Sequence, residues 1–268
     1  MNNEVMSREP AQVGRWAFHW KQYWANQPMV IRAGASAWPA LSRWNAKSLE
    51  TLLGDRSVVV AWNAQGVFDP TANAPTGPIE DITMPFLQAS RLISSDEGAF
   101  HYIQQTDLDT LDALRGDVDR PHVLGASKMI LKQNIWYGGK GCKSPLHYDR
   151  ADNFLCQVLG RKQLHLFAPS NAAGLYPTTD TAFPHMSQID VFNSGNVDRQ
   201  RFPRFSDVAA NGYTVTIGPG DMLYIPIGWW HAVESLDISI SVNIWWQGYE
   251  RHVANYLRHL RHSRALPN

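Results

Sequence analysis

The chain has 268 residues, with 24 Lys and Arg against 24 Asp and Glu and a formal net charge of zero, a balance that argues against a partner held mainly by bulk charge, whether nucleic acid or anionic membrane. Hydrophobic residues make up 44% and aromatic residues 11%, enough for a packed core and too much for a chain disordered as a whole. No apolar run approaches the roughly 20 residues of a membrane-spanning helix, the opening MNNEVMSREP has no apolar stretch of signal-peptide type, and two cysteines, Cys142 and Cys156, make no disulfide framework, so a cytoplasmic protein is expected.

In chain order, the stretch Trp16 to Trp24 is rich in aromatics that fit neither a period of 2 nor one of 3.6, and it is read as a helix. PMVIRAG, closed by Pro28 and Gly34, reads as a short buried strand. Asn45 is placed to cap a helix that runs to Gly54. SVVVAWN follows as a strand over 57–63, and the Pro- and Gly-rich stretch from Gln65 to Ile82 as a loop. From Ala99 onward strands dominate: FHYIQ, MILKQNIWYG, HYDRADNFLCQVLG, RKQLHLFAP, YTVTIG, DMLYIP and SISVNIWW. Seven short strands without long intervening helices point to a β-sandwich or barrel and away from a βαβ sheet. Phe183 to Asn211 lacks periodicity and reads as a long insertion, a candidate functional loop. The tail carries Val253, Tyr256, Leu257 and Leu260 at i, i+3, i+4 and i+7 among basic residues, the pattern of an amphipathic helix packed on its own barrel or on a second subunit. One domain over 1–268 is expected, with a mixed N-terminal part over 1–98, a β core over 99–248 and a helix over 249–268.

Ten histidines are too many to be ligands at once, so spacing must choose among them. His147 and Asp149 are one residue apart, which on a strand puts an imidazole and a carboxylate on one face. His231 follows an apolar strand and a Pro-Gly turn, far enough along the chain to return beside the first pair. Two histidines and a carboxylate on one side of a metal leave the opposite positions open, as the facial triad of non-haem Fe(II) oxygenases requires; taken alone, the pattern also arises by chance. Lys162 sits after a Leu-Gly-Arg hairpin signal, where it either pairs with a diacid near the metal or lies on the surface. Asn153 and Asn243 occupy otherwise apolar strands, where a buried amide needs a partner.

The runs SPLHYDRADNFLCQVLGRKQLHLFAP, SQIDVFN with RFPRF, GPGDMLYIPIGWWHAVES and SVNIWW, in this order from about Tyr102 to Gly248, resemble the JmjC-type cupin dioxygenases, and look similar to the branch that includes the asparaginyl hydroxylase of hypoxia-inducible factor. The resemblance implies a mainly β fold with flanking helices, a double-stranded β-helix of the jelly-roll or cupin type. It implies Fe(II) held by His147, Asp149 and His231, with dioxygen and the cosubstrate 2-oxoglutarate. The far carboxylate of the cosubstrate would meet Lys162, Ser144 and Tyr102, with Asn153 and Asn243 as active-site amides and Trp245 beside the pocket. His185 and Met186 stand where that branch has an Arg-Gln pair for the substrate amide, which speaks against asparaginyl specificity; Gln104, His185, Met186 and Trp245 are the candidate substrate contacts. Related hydroxylases often pair through C-terminal helices, so a homodimer through the 249–268 helix is a further expectation. Three readings follow: a hydroxylase of a protein or peptide side chain, one of a free amino acid or natural-product precursor, and a non-catalytic cupin-like binding module. A narrow, closed pocket would favour the second over the first.

Overall fold

The computed structural model describes residues 3–71, 74–95, 100–126 and 128–248; the C-terminal helix and the dimer stripe on it fall outside the described residues. Thirteen strands run through the described residues: β1 Met6–Arg8, β2 Met29–Ile31, β3 Ser57–Trp62, β4 Glu80–Pro85, β5 His101–Asp107, β6 Lys128–Gly138, β7 Lys143–Tyr148, β8 Asp152–Leu159, β9 Lys162–Phe167, β10 Tyr213–Ile217, β11 Met222–Ile225, β12 Trp230–Ser235 and β13 Ser239–Gly248. They form a nine-stranded sheet in the order β1-β2-β11-β8-β13-β6-β5-β3-β4 and a four-stranded sheet in the order β10-β9-β12-β7.

The two sheets face each other as a jelly roll, and alternation along the strands divides the side chains into layers. Phe154, Cys156 and Val158 of β8 and Ile240, Val242 and Ile244 of β13 turn outward into a core shared with Phe18, Tyr23, Trp44, Leu49 and Phe86 of the N-terminal part. On the inner faces Leu155, Leu164, Leu166, Val215 and Leu223 fill one region of the interior. Outside the small sheet, Phe167, Trp230 and Ala232 pack against Leu175, Ile189, Val191, Phe202 and Phe205 of the segment joining β9 to β10. Central strands covered on both faces read in the sequence as nearly unbroken apolar runs, and Asn153, Lys162 and Asn243 are polar residues in them that line the interior cavity.

Several expectations hold and several are corrected. Asn45 caps Ala46–Leu53, accepting from the Ser48 amide at 3.0 Å while the Ser48 hydroxyl accepts from the Asn45 amide at 3.1 Å. The aromatic helix is present as an α segment Arg15–Phe18 that continues into a π segment His19–Tyr23. The wider π turn shifts the phase of the side chains, so no single period describes Trp16 to Trp24: Phe18 and Tyr23 are buried while Trp16, Trp20 and Trp24 are exposed. The loop expected over Gln65 to Ile82 ends earlier, because Glu80 begins β4. That strand pairs only with β3 at the sheet edge and leaves most of its residues in solvent, so it lacks an apolar pattern.

The single strand expected over HYDRADNFLCQVLG is two, β7 and β8, with a turn at 149–151. β8 and β9 do not form a hairpin either: β8 pairs with β11 and β13, whereas β9 pairs with β10 and β12. Gly160, at φ 67°, carries the chain from one sheet to the other, and a Cβ there would lie 2.2 Å from the Ile238 carbonyl oxygen. His231 lies within β12, a strand that the sequence reading lacked. Replacing Asn45 by Ala should cost about 1 kcal/mol of stability, read as a fall of a few degrees in Tm by calorimetry with no change at the interior described next.

Candidate functional site

β12 lies between β7 and β9, and its register sets His231 directly opposite His147. The two imidazole centroids are 4.3 Å apart. Each ring is tethered through Nδ1 to a backbone carbonyl two residues before it, His147 to Pro145 at 2.7 Å and His231 to Trp229 at 3.0 Å. A carbonyl only accepts, so Nδ1 carries the proton in both rings and, in the neutral form, Nε2 keeps its lone pair. Burial, and secondly the neighbouring His231, pull the His147 pKa down to about 4, so this ring is neutral at physiological pH.

Asp149 is not on the strand face expected for it; it is the first residue after β7, in the turn to β8. The turn still delivers its carboxylate beside the two rings, with Oδ2 at 3.8 Å from His231 Nε2. Asp149 Oδ2 accepts from Trp245 Nε1 at 2.9 Å and Asn153 Nδ2 at 3.2 Å, which hold it in one orientation. Ligand atoms of His147, Asp149 and His231 all lie within 4.8 Å of one another.

Deeper in the same space is Lys162, 1% exposed. Its ammonium donates to Tyr102 Oη at 2.9 Å and Ser241 Oγ at 2.8 Å, and Ser144 lines the same cavity. Among the described residues no carboxylate pairs with it, and burial lowers its pKa to about 7. The surface-lysine alternative is thereby excluded. A buried ammonium with only neutral partners is costly unless an anion joins it. Gly138, across from Tyr102 in the β5–β6 pairing, leaves room for that ring; a Cβ there would stand 2.5 Å from it.

Tyr102, Ser144, His147, Asp149, Asn153, Lys162, His231, Asn243 and Trp245 line one small cavity. The two amides differ. Asn243 Oδ1 already accepts from Asn134 Nδ2 at 3.1 Å and Trp136 Nε1 at 2.9 Å, so only its NH2 end can meet a ligand. Asn153 spends Nδ2 on Asp149, and its Oδ1 is buried without a partner. Gln104 and His185 lie outside this cavity, in a neighbouring solvent-open groove of about 890 Å³. Met186 lines neither space; it is buried and bridges to His147 through its backbone.

Ser241, Trp136 and Gln105 are site residues that the sequence reading missed. Ser241 was detectable in principle, since it is two residues before Asn243 and shares its strand face. Gln105 had no such signal.

Residues 17–252 match the cupin-like domain family. The chain is a member of that family. Lysine-specific demethylase 8 of Xenopus tropicalis is 31% identical over 224 residues, 82% of this chain and 48% of that protein. Lysine-specific demethylase JMJ30 of Arabidopsis thaliana is 31% identical over 228 residues, 84% and 51%, and HSPB1-associated protein 1 of Homo sapiens 29% over 245 residues, 85% and 49%. The chain thus spans about half the length of these relatives. They support JmjC-type cupins as a whole and not the asparaginyl hydroxylase branch in particular.

Fe(II), 2-oxoglutarate and dioxygen are the cofactors of this superfamily, and the residues present fit them. Two imidazoles tethered through Nδ1 and one oriented carboxylate suit a divalent iron with open positions. The unpaired Lys162 suits the far carboxylate of a keto diacid, and the orphaned Asn153 Oδ1 suits a hydrogen-bond donor such as a water.

Two outcomes follow for Lys162. Lys162→Met should stabilise the ligand-free protein, by on the order of a few kcal/mol at neutral pH, because a buried cation is removed; it should also abolish 2-oxoglutarate binding, checked by thermal melts with and without the keto acid. In the wild type the depressed pKa means that the ligand-free protein loses its cation as pH rises through about 7. Anion binding requires that proton, so affinity for 2-oxoglutarate should be full below pH 7 and decline above it, measured by calorimetry across pH 6 to 9.

Proposed function

We propose that the protein is an Fe(II)- and 2-oxoglutarate-dependent oxygenase that hydroxylates an unactivated C–H bond on a protein or peptide side chain. The observation that carries the choice of substrate is the join between the two spaces: the small cavity holding the triad adjoins, at Gln105, a solvent-open groove of about 890 Å³. A free amino acid needs only an enclosed pocket, whereas a chain segment needs a trough that it can enter and leave. Relatives that bear the name lysine-specific demethylase are in line with a side-chain substrate.

When bound, iron and 2-oxoglutarate supply the oxidising chemistry: dioxygen converts the keto acid to succinate and carbon dioxide, with its second oxygen atom entering the C–H bond. The chain's own residues do the positioning. The Nδ1 tethers aim both imidazoles, and Trp245 and Asn153 fix the carboxylate of Asp149, whose charge offsets that of the metal. Lys162, with Tyr102 and Ser144 beside it, orients the cosubstrate from its far end and so fixes where its near end lies. The groove decides which C–H bond reaches the cavity.

Anaerobic addition of Fe(II) and then 2-oxoglutarate should give the weak visible band of a keto acid chelated to iron. Asp149→Ala should lose iron retention and 2-oxoglutarate consumption together; consumption at the wild-type rate would remove Asp149 from the ligand set. Trp245→Phe keeps the ring but not the hydrogen bond, and should weaken iron binding on the order of tenfold, read by metal competition.

A further inference from the structure

Gln105 occupies a place that a glutamine fills only at a cost. The β5–β6 register slips between Ile103 and Thr106, and within that bulge Gln105 adopts φ 44°, a left-handed conformation for which glycine is the unstrained choice. In a regular strand neighbouring side chains point to opposite faces. Here both Gln104 and Gln105 border the groove, and Gln105 alone of the two also borders the metal cavity. Its side chain is exposed, and among the described residues its carboxamide has no hydrogen-bond partner. A strained bulge beside a reaction centre, carrying a long polar side chain that serves nothing inside the protein, is explained by what lies outside it.

The chemistry of the group narrows the ligand. A carboxamide offers one acceptor and a pair of donors on a planar frame and is neutral, which matches the N–H and C=O of a peptide group and gives no advantage to a carboxylate or an ammonium. Val59 and Ala61 of β3 also line the groove. A free amino acid has no peptide group to offer.

We propose that Gln105 is the specificity-determining residue of the groove, its carboxamide pairing with a peptide group of the substrate chain next to the residue whose C–H bond enters the metal cavity. This rests on the oxygenase reading above and deepens it.

The test uses the full chain loaded anaerobically with Fe(II) and 2-oxoglutarate, its visible band serving as the check that the centre is assembled. Pools of N-acetylated, C-amidated hexapeptides are screened for succinate formation and a gain of one oxygen in the peptide mass, beside a mixture of free amino acids. The peptides should respond and the amino acids should not. For the best peptide, Gln105→Gly, which suits the backbone angle and removes only the side chain, should raise KM about tenfold, the loss of one neutral hydrogen bond, with kcat within twofold. Gln105→Asn, which keeps the carboxamide and tolerates the angle, should recover part of that loss. An ester in place of the recognised peptide N–H should weaken binding to the wild type and leave KM for Gln105→Gly unchanged.

A wild-type KM in Gln105→Gly would overturn the assignment and reduce the residue to a shaper of the bulge. Response to free amino acids alone, or to neither set while the band is present, would overturn it together with the peptide reading. Absence of the band in the iron-loaded wild type would instead bring down the oxygenase reading itself.

Discussion

The register of β12 is the constraint on which the site depends. β12 is hydrogen-bonded on one side to β7 and on the other to β9, so a single alignment sets His231 across from His147 and also fixes which faces of these strands look inward. A slip by one residue would turn His231 into the outer layer with Trp230 and Ala232 and bring those apolar side chains into the cavity. The outer packing of Phe167, Trp230 and Ala232 against the β9–β10 segment therefore acts on the metal ligands without touching them. That segment, the long insertion without periodicity, also runs alongside β7: Tyr148 donates to the His185 carbonyl and Ser187 to that of Leu146. It closes the edge of the small sheet at the strand that carries the first histidine.

Much of the site was legible in the sequence because polar residues seldom interrupt strands buried on both faces. Asn153 within DNFLCQV and Asn243 within SVNIWW stood out on that ground, and both line the cavity. The pairing of His147 with His231 and the partners of Lys162 depend on strand alignment across long stretches of chain, which no local pattern encodes; the family resemblance supplied what the spacing left open. Ser241 escaped notice because a serine in a strand is unremarkable until a lysine is found against it. Gln105 escaped for a different reason, since a bulge in β5 is a property of two strands together and leaves no mark on either one.

Among the elements, the errors share a cause. β4 is too exposed to show an apolar pattern, and the Trp16 to Trp24 helix changes its winding midway, so its periodicity cancels. The break of HYDRADNFLCQVLG into two strands at Asp149 has more consequence. A carboxylate on a turn can be steered by neighbours from two strands, and here Asn153 of β8 and Trp245 of β13 do so. An aspartate locked in the pleat of β7 would have had less freedom to reach the rings beside it.

The unpaired ammonium of Lys162 ties the durability of the protein to its supply of cosubstrate. An empty cavity keeps a desolvated group whose burial opposes folding; a filled one gives that group a counter-ion found only in the native state. By mass action the folded form gains RT ln(1 + [L]/Kd) from any ligand that the unfolded chain ignores. Cellular concentrations of a keto acid from central metabolism would then set not only how fast the enzyme turns over but how much of it escapes unfolding and proteolysis. On the proposed function, the abundance of the chain would follow the supply of its cosubstrate.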